Sequence, residues 1–139
     1  MASTFFVEVV TPERVVYREE VNMIIARAVD GDIGILANHS PLITALKIGL
    51  LRLKKGDRFS HIAISGGGFM EVTSEKVTIL ADAAEKPGEI DIERAKAAKE
   101  RAERRLAAQR EDIDYYRAEM ALRRATTRLE AVEKEKAGV

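Results

Sequence analysis

The apolar positions of this chain change their spacing once. From residue 4 to about residue 80 they come in short runs rich in aromatic and β-branched side chains, many of them alternating with polar residues. That pattern predicts strands at 4–10, 15–17, 21–28, 50–53, 59–64, 69–72 and 76–80. "TPER" (11–14) reads as a turn, and "KKGD" (54–57) and "TSEK" (73–76) as hairpin turns. So many apolar side chains cannot leave both faces of a sheet wet. Two sheets must face each other, as an antiparallel sandwich or flattened barrel.

Beyond Lys86-Pro87-Gly88 the period becomes helical. All three prolines precede Glu89, and the only glycine after it is Gly138. The spacing predicts helices over about 91–110 and 113–136, each about 30 Å long at 1.5 Å per residue. Asp91 is a good N-cap for the first, with Ile90 placed to staple onto Ala95. Asp112 or Asp114 caps the second. The short "EDID" connection favours antiparallel neighbours, hence a helical hairpin. The predicted organisation is a sandwich over 1–86 and a two-helix hairpin over 87–139. Residues predicted to face inward are Ile92, Ala95, Ala98, Ala102, Leu106, Ile113, Ala118, Ala121, Ala125 and Leu129. Most are alanines, each worth only about 0.8 kcal/mol when buried, against roughly 1.5–3 for Leu or Ile. The hairpin is therefore either docked permanently or able to undock, swing or straighten at little apolar cost.

Composition narrows the function. The 139 residues carry 23 basic and 23 acidic side chains, a neutral balance unlike that of a general nucleic-acid binder. There is no cysteine, which excludes disulfide scaffolds, thiolate zinc sites and cysteine nucleophiles. "MASTFFVEVVTPE" lacks the basic-then-apolar pattern of a signal peptide, and no run approaches the roughly 20 apolar residues of a membrane span. A soluble cytoplasmic protein that reaches a membrane only through a partner is expected. Acidic charge among the basic residues and the alanine-lined apolar face argue against helices lying on an anionic membrane. The histidines, His39 in "NHSPL" and His61 in "RFSHIAI", have no metal-ligand neighbours at useful spacing. His61 reads as an ordinary strand residue. "SGGGF" lacks the Lys-Ser/Thr of a P-loop and reads as a tight hairpin. No independent enzymatic activity is expected.

The helical half carries one anomaly. A solvated helix matches basic residues with acids three or four positions away, as Glu100–Arg104, Glu119–Arg123 and Glu130–Lys134 are spaced to do. Arg101 and Arg105 have no such acid, nor do Arg124 and Arg128. After the Asp91 cap, the position that favours Glu or Gln is Arg94. It lies on the same stripe as Arg101. An antiparallel fold would bring these arginines toward one place. A polyanion would turn their repulsion into charge-assisted hydrogen bonds, and phosphate is a natural candidate. Acids on a partner protein and plain solvation are the alternatives that spacing leaves open.

The order of motifs is familiar. "DGDIGILANHSPLITALKIGLLRL" (30–53), "ISGGGFMEV" (64–72), "KVTILADAAE" (76–85) and the closing "IDIERAKAAKERAERRLAAQREDIDYYRAEMALRRATTRLEAVE" resemble the epsilon subunit of bacterial ATP synthase, most closely the versions from thermophilic bacilli. The resemblance runs over essentially the whole chain. "SGGGF" has one glycine more than is usual there, and "ANHSPL" lacks a proline-glycine before the histidine. The resemblance implies a rotor subunit at the foot of the central stalk. It would sit against the gamma subunit and the ring of c subunits, on the cytoplasmic face of the membrane. The loop around Asp32 and His39 would face that ring. Extended toward the alpha/beta catalytic hexamer, the helices would hinder ATP hydrolysis; folded down, they would release it. In some members the folded hairpin binds ATP through an I/L-D-x-x-R-A motif, here Ile90-Asp91-Ile92-Glu93-Arg94-Ala95. The matching further arginines are Arg101, Arg124 and Arg128, and Glu85 matches a position that contacts the base through its backbone. ATP would be a regulatory ligand that is not hydrolysed, and whether Mg2+ accompanies it is left open. The competing expectation is a constitutive structural clamp that senses no nucleotide.

Overall fold

The structure, a computed structural model, describes residues 3–139. Met1 and Ala2, at the start of the predicted sandwich, lie outside the described residues. Eight strands come first: β1 (Phe5–Val10), β2 (Val15–Val21), β3 (Met23–Ala28), β4 (Gly31–Leu36), β5 (Leu42–Leu46), β6 (Gly49–Lys55), β7 (Arg58–Val72) and β8 (Lys76–Glu85). A short helical turn (Pro87–Glu89) leads to α1 (Ile92–Ala107) and α2 (Tyr115–Ala137). An all-β sandwich followed by a helical hairpin is what the hydrophobic pattern predicts.

Alternation buries one face of each strand. Val7 and Val9 of β1, Ile24 and Ala26 of β3, Leu51 and Leu53 of β6, and Val77 and Ile79 of β8 meet in one core. The hydrogen-bonded order runs β2-β1-β8-β7-β5-β3-β4, with β6 bridging β3 and β7. Pairing departs from the all-antiparallel expectation at one place. β1 and β8 run parallel, Val7 beside Val77 and Val9 beside Ile79. The crossover that parallel strands need is here the whole intervening sandwich.

β7 corrects the reading of "SGGGF". The predicted strands 59–64 and 69–72 are one strand of 15 residues, and the glycines lie within it. Its first half pairs with β6 and its second half with β5, with a register shift against β8 between Ile64 and Gly66. A Cβ on Gly66 would meet the Asp82 Cβ at 2.9 Å, and one on Gly67 the Leu46 carbonyl at 3.1 Å. The glycines admit close neighbours while the strand passes from one sheet to the other; they do not reverse the chain. β4 and β5 escaped the strand pattern for a related reason. β4 buries only Ile35, and β5 leaves Ile43 exposed.

The burial of His61, Ile62, Ala63, Ile64 and Ser65 is continuous, so both faces of β7 are covered there. The second cover is α2, which packs on β6 and β7, while α1 packs chiefly on α2. Leu50, Ala63, Ile90 and Ala131 form the small core between sheet and hairpin. Of the predicted seam, Ala95, Ala102, Ala118 and Ala125 are buried, and the other six residues are half-buried. Thr127 and Ala131, also buried, belong to a second apolar face of α2 that the single-seam expectation lacks.

The helices are unequal. α1 has 16 residues and α2 has 23, or about 24 and 35 Å. Gln109, at φ 51°, adopts the left-handed conformation just beyond α1, so the helix does not reach Arg110 as predicted. Asp114 caps α2, its Oδ1 accepting from Arg117 N at 3.0 Å. Asp112 pairs with Arg110 instead, at 3.2 Å.

Candidate functional site

The end of β8, the helical turn, the first turns of α1 and the middle of α2 enclose a cavity of about 380 Å³. Its lining is Glu85, Glu89, Asp91, Arg94, Ala95, Ala98, Arg101 and Arg128. Six of the eight residues expected at an ATP site therefore share one cavity. Ile90, from the same motif, is buried beneath it against Leu50, Ala63 and Ala131. Its burial anchors the start of α1 on the sandwich, more than a local staple would.

The helical spacing explains the convergence. Arg94 and Arg101 stand seven residues apart on α1, close to two full turns, and so point the same way. Antiparallel packing sets Arg128 of α2 opposite them.

The cavity holds three arginines and three carboxylates, but the carboxylates are occupied. The Asp91 Oδ1 accepts from Arg94 N at 3.1 Å, capping α1. Glu89 receives both arms of Arg14, at 2.7 and 2.9 Å, from the turn before β2. It also accepts from the backbone N–H of Lys86 at 2.9 Å. The Arg14 hydrogen bonds foremost, then the Lys86 bond, hold the Glu89 carboxyl down at about 2. Glu85 accepts from Arg128 Nε at 2.6 Å and from the buried Ser65 hydroxyl at 3.1 Å.

Arg128 thus corrects the spacing argument. It has no acid along its own helix, but Glu85, 43 residues earlier, supplies one. Arg94 and Arg101 form no ion pair among the described residues. The site presents two free guanidinium groups on α1 and a third on α2 held by an exchangeable carboxylate. A volume near 380 Å³ lies in the range of small-molecule sites, roughly 300–1,000 Å³.

Not every predicted residue converges. Arg124, one turn before Arg128, lines a neighbouring cavity with Lys47, Asp82, Tyr116 and Met120. Arg105 lies at the far end of the hairpin beside Asp112 and Asp114, so the two arginine pairs do not meet in full. Of the predicted helical ion pairs, Arg123–Glu119 forms at 2.8 Å; Glu100–Arg104 and Glu130–Lys134 do not come within pairing distance. Asp32, on β4, faces Arg27 across the β3–β4 hairpin at 3.3 Å. His39 follows that strand, its Nδ1 against the Ser40 carbonyl at 2.7 Å. Ser65 was missed by sequence reasoning, because a serine beside glycines carries no signal that a carboxylate will reach it. Among the described residues no three His, Asp or Glu side chains cluster as a metal site. Among the same residues no helix is long and apolar enough to cross a membrane.

Comparison with known proteins places this architecture. Residues 4–87 match the family model described as ATP synthase, Delta/Epsilon chain, beta-sandwich domain. Residues 89–133 match that described as ATP synthase, Delta/Epsilon chain, long alpha-helix domain. The ATP synthase epsilon chain of Desulforamulus reducens is 50% identical over 133 residues, covering 96% of this chain and 100% of that one. That of Halalkalibacterium halodurans is 53% identical over 128 residues, covering 91% and 96%. Among solved structures, a chain in the Euglena gracilis mitochondrial ATP synthase OSCP/F1/c-ring assembly superposes with a TM-score of 0.77 at 26% identity. It covers 94% of this chain and 81% of its own length. With both family models matched in order and epsilon chains aligned nearly end to end, the chain belongs to the delta/epsilon family of ATP synthase chains.

Proposed function

We propose that this chain is the epsilon subunit of the central stalk of a proton-translocating ATP synthase, and that its docked hairpin is stabilised by ATP bound among Arg94, Arg101 and Arg128. The rotor placement rests on the family and on the Euglena assembly, whose chain of the same fold sits in an F1/c-ring complex. In that placement the chain joins gamma to the c-ring, with the Asp32–His39 segment toward the ring, as a peripheral protein on the cytoplasmic face. It regulates without catalysing: extended toward the alpha/beta hexamer, the helices impede ATP hydrolysis, and folded down they do not.

One observation carries the nucleotide reading. The cavity's carboxylates are each engaged by protein donors, while Arg94 and Arg101 are unpaired and face the same space. A triphosphate suits them, because guanidinium groups bind phosphate oxygens bidentately. Arg128 joins by leaving Glu85. In this reading the free Asp91 oxygen and the Glu85 backbone serve the nucleoside, beside the small side chains of Ala95 and Ala98 in the same lining. Calorimetric titration of the isolated chain with ATP, with and without magnesium, tests this. Saturable binding is expected, and absence of heat at millimolar nucleotide would refute it.

The clamp reading has one observation in its favour: protein contacts alone, Ile90 and Ala131 against Leu50 and Ala63 and the Glu85–Arg128 pair, join the hairpin to the sandwich. Truncation after Gly88 separates the two. A brake predicts faster ATP hydrolysis by complexes carrying the truncated chain, and a clamp predicts that they fall apart.

A further inference from the structure

His61 is fully covered, in the first third of β7, on the face that α2 packs against. β8 pairs with β7 only from Ala63 onward, so the edge of β7 at His61 is open. Glu135, near the end of α2, fills it. Its Oε1 accepts from the His61 backbone N–H at 3.0 Å and contacts the ring Nδ1 at 2.9 Å. The other ring nitrogen, Nε2, lies 2.5 Å from the main-chain oxygen of Val139. Gly138 makes that reach possible: at φ 74° it takes the left-handed conformation and turns the chain off the helix.

Both ring nitrogens therefore face acceptors. A neutral imidazole has one N–H and one lone pair, so it satisfies one of these oxygens and sets its lone pair against the other. Only the doubly protonated ring donates to both. The charged neighbours on the packed elements are few. Glu135 on α2 favours the second proton. Arg52, opposite His61 on β6, opposes it, but its guanidinium is turned over the Phe59 ring at 4.2 Å. Lys54 lies further along the same face of β6, and Lys134 and Lys136 flank Glu135 on α2.

We propose that His61 is a proton-dependent latch that pins the C-terminal end of α2 to the sandwich, so that protonation favours the docked hairpin and deprotonation releases it. The alanine seams give the latch its leverage. Each buried alanine contributes little, so one charge-assisted bracket is a large share of what holds this end down. The latch acts on docking alone and is independent of any nucleotide at the Arg94 cavity, so it is tested without nucleotide.

The chain has no cysteine, so Asp57→Cys and Glu133→Cys, at exposed positions, accept a fluorophore pair across the docked interface. Urea-driven separation of the labels is followed at about pH 5.5 and about pH 8, the span over which imidazoles change charge. The docking equilibrium is expected to be about tenfold more favourable at the lower pH, the factor one hydrogen bond to a charged group supplies. In His61→Gln the factor should fall to near one, while His39→Gln keeps it. Should His61→Gln fail to fold, Glu135→Gln must by itself lose the pH difference. A pH difference that survives in His61→Gln or Glu135→Gln, or that is absent from the parent chain, overturns the proposal.

Discussion

Glu85 is the residue on which the candidate site turns. Its carboxylate holds Arg128 at 2.6 Å and so stands where a phosphate oxygen would compete. Glu85→Gln removes that competitor and keeps the side-chain shape. It is expected to tighten ATP binding severalfold, toward tenfold, because a hydrogen bond to a charged group no longer has to be exchanged. Calorimetry on the variant checks this, and weaker binding would mean that the carboxylate itself contacts the ligand. A second residue-scale expectation concerns acid. Glu89 is held at about 2 in the folded chain, against an ordinary 4.5. Its folded value is depressed, so its contribution is present above about pH 4.5 and is lost as pH falls toward 2. Both partners of the Arg14–Glu89 pair are well exposed, so the effect is small. Arg14→Ala should flatten acid unfolding within that window, and an unchanged acid profile would contradict the assignment. Arg101 was legible in the sequence because absent acids three and four positions away can be counted, and Arg94 because it stands where a capped helix favours Glu or Gln. Arg128's partner and the contacts of His61 were not. They join residues 43 and 74 positions apart, and no local pattern records such meetings.

The elements were legible where one face is buried and the other wet. β1, β3 and β8 alternate, and their core residues follow from a period of two. Legibility failed where a strand is covered on both sides or hardly at all. β7 is buried continuously through His61–Ser65 and then runs through three glycines, so it read as two strands and a turn. Gly68 is the most constrained of them. A Cβ there would meet the Leu80 carbonyl and lie 2.8 Å from the Ala81 Cα, and backbone cannot yield as a side chain does. Gly68→Ala is expected to lower stability by about 1–3 kcal/mol, read from urea unfolding. Gly88→Ala, whose added methyl meets open space, should change it little. Equal midpoints for the two variants would show that β7 passes its neighbours less closely than described. The same logic explains the hairpin. A single alanine seam could be read from α1, but α2 carries two faces, and Thr127 and Ala131 show only once the sheet is in place.

At the scale of the molecule, the chain is a firm sandwich with a lightly held hairpin. α1 touches little besides α2, and α2 meets β6 and β7 through Ala131 and the Glu135–His61 contact. An anion bound by Arg94 and Arg101 of α1 and Arg128 of α2 would bridge both helices beside the end of β8 and stiffen the hairpin. The change from strand to helical spacing near Lys86-Pro87-Gly88 made the two-part architecture legible; the strength of the union between the parts was not, because it depends on cross-element contacts that no period encodes. Amide hydrogen exchange of the isolated chain, with and without ATP, tests this account most directly. Slower exchange is predicted throughout α1 and in the α2 turns around Ala125–Leu129 when ATP is present, with the sandwich unchanged and the effect absent in an Arg94→Ala, Arg101→Ala variant. Identical exchange in both helices whether or not ATP is supplied would contradict it.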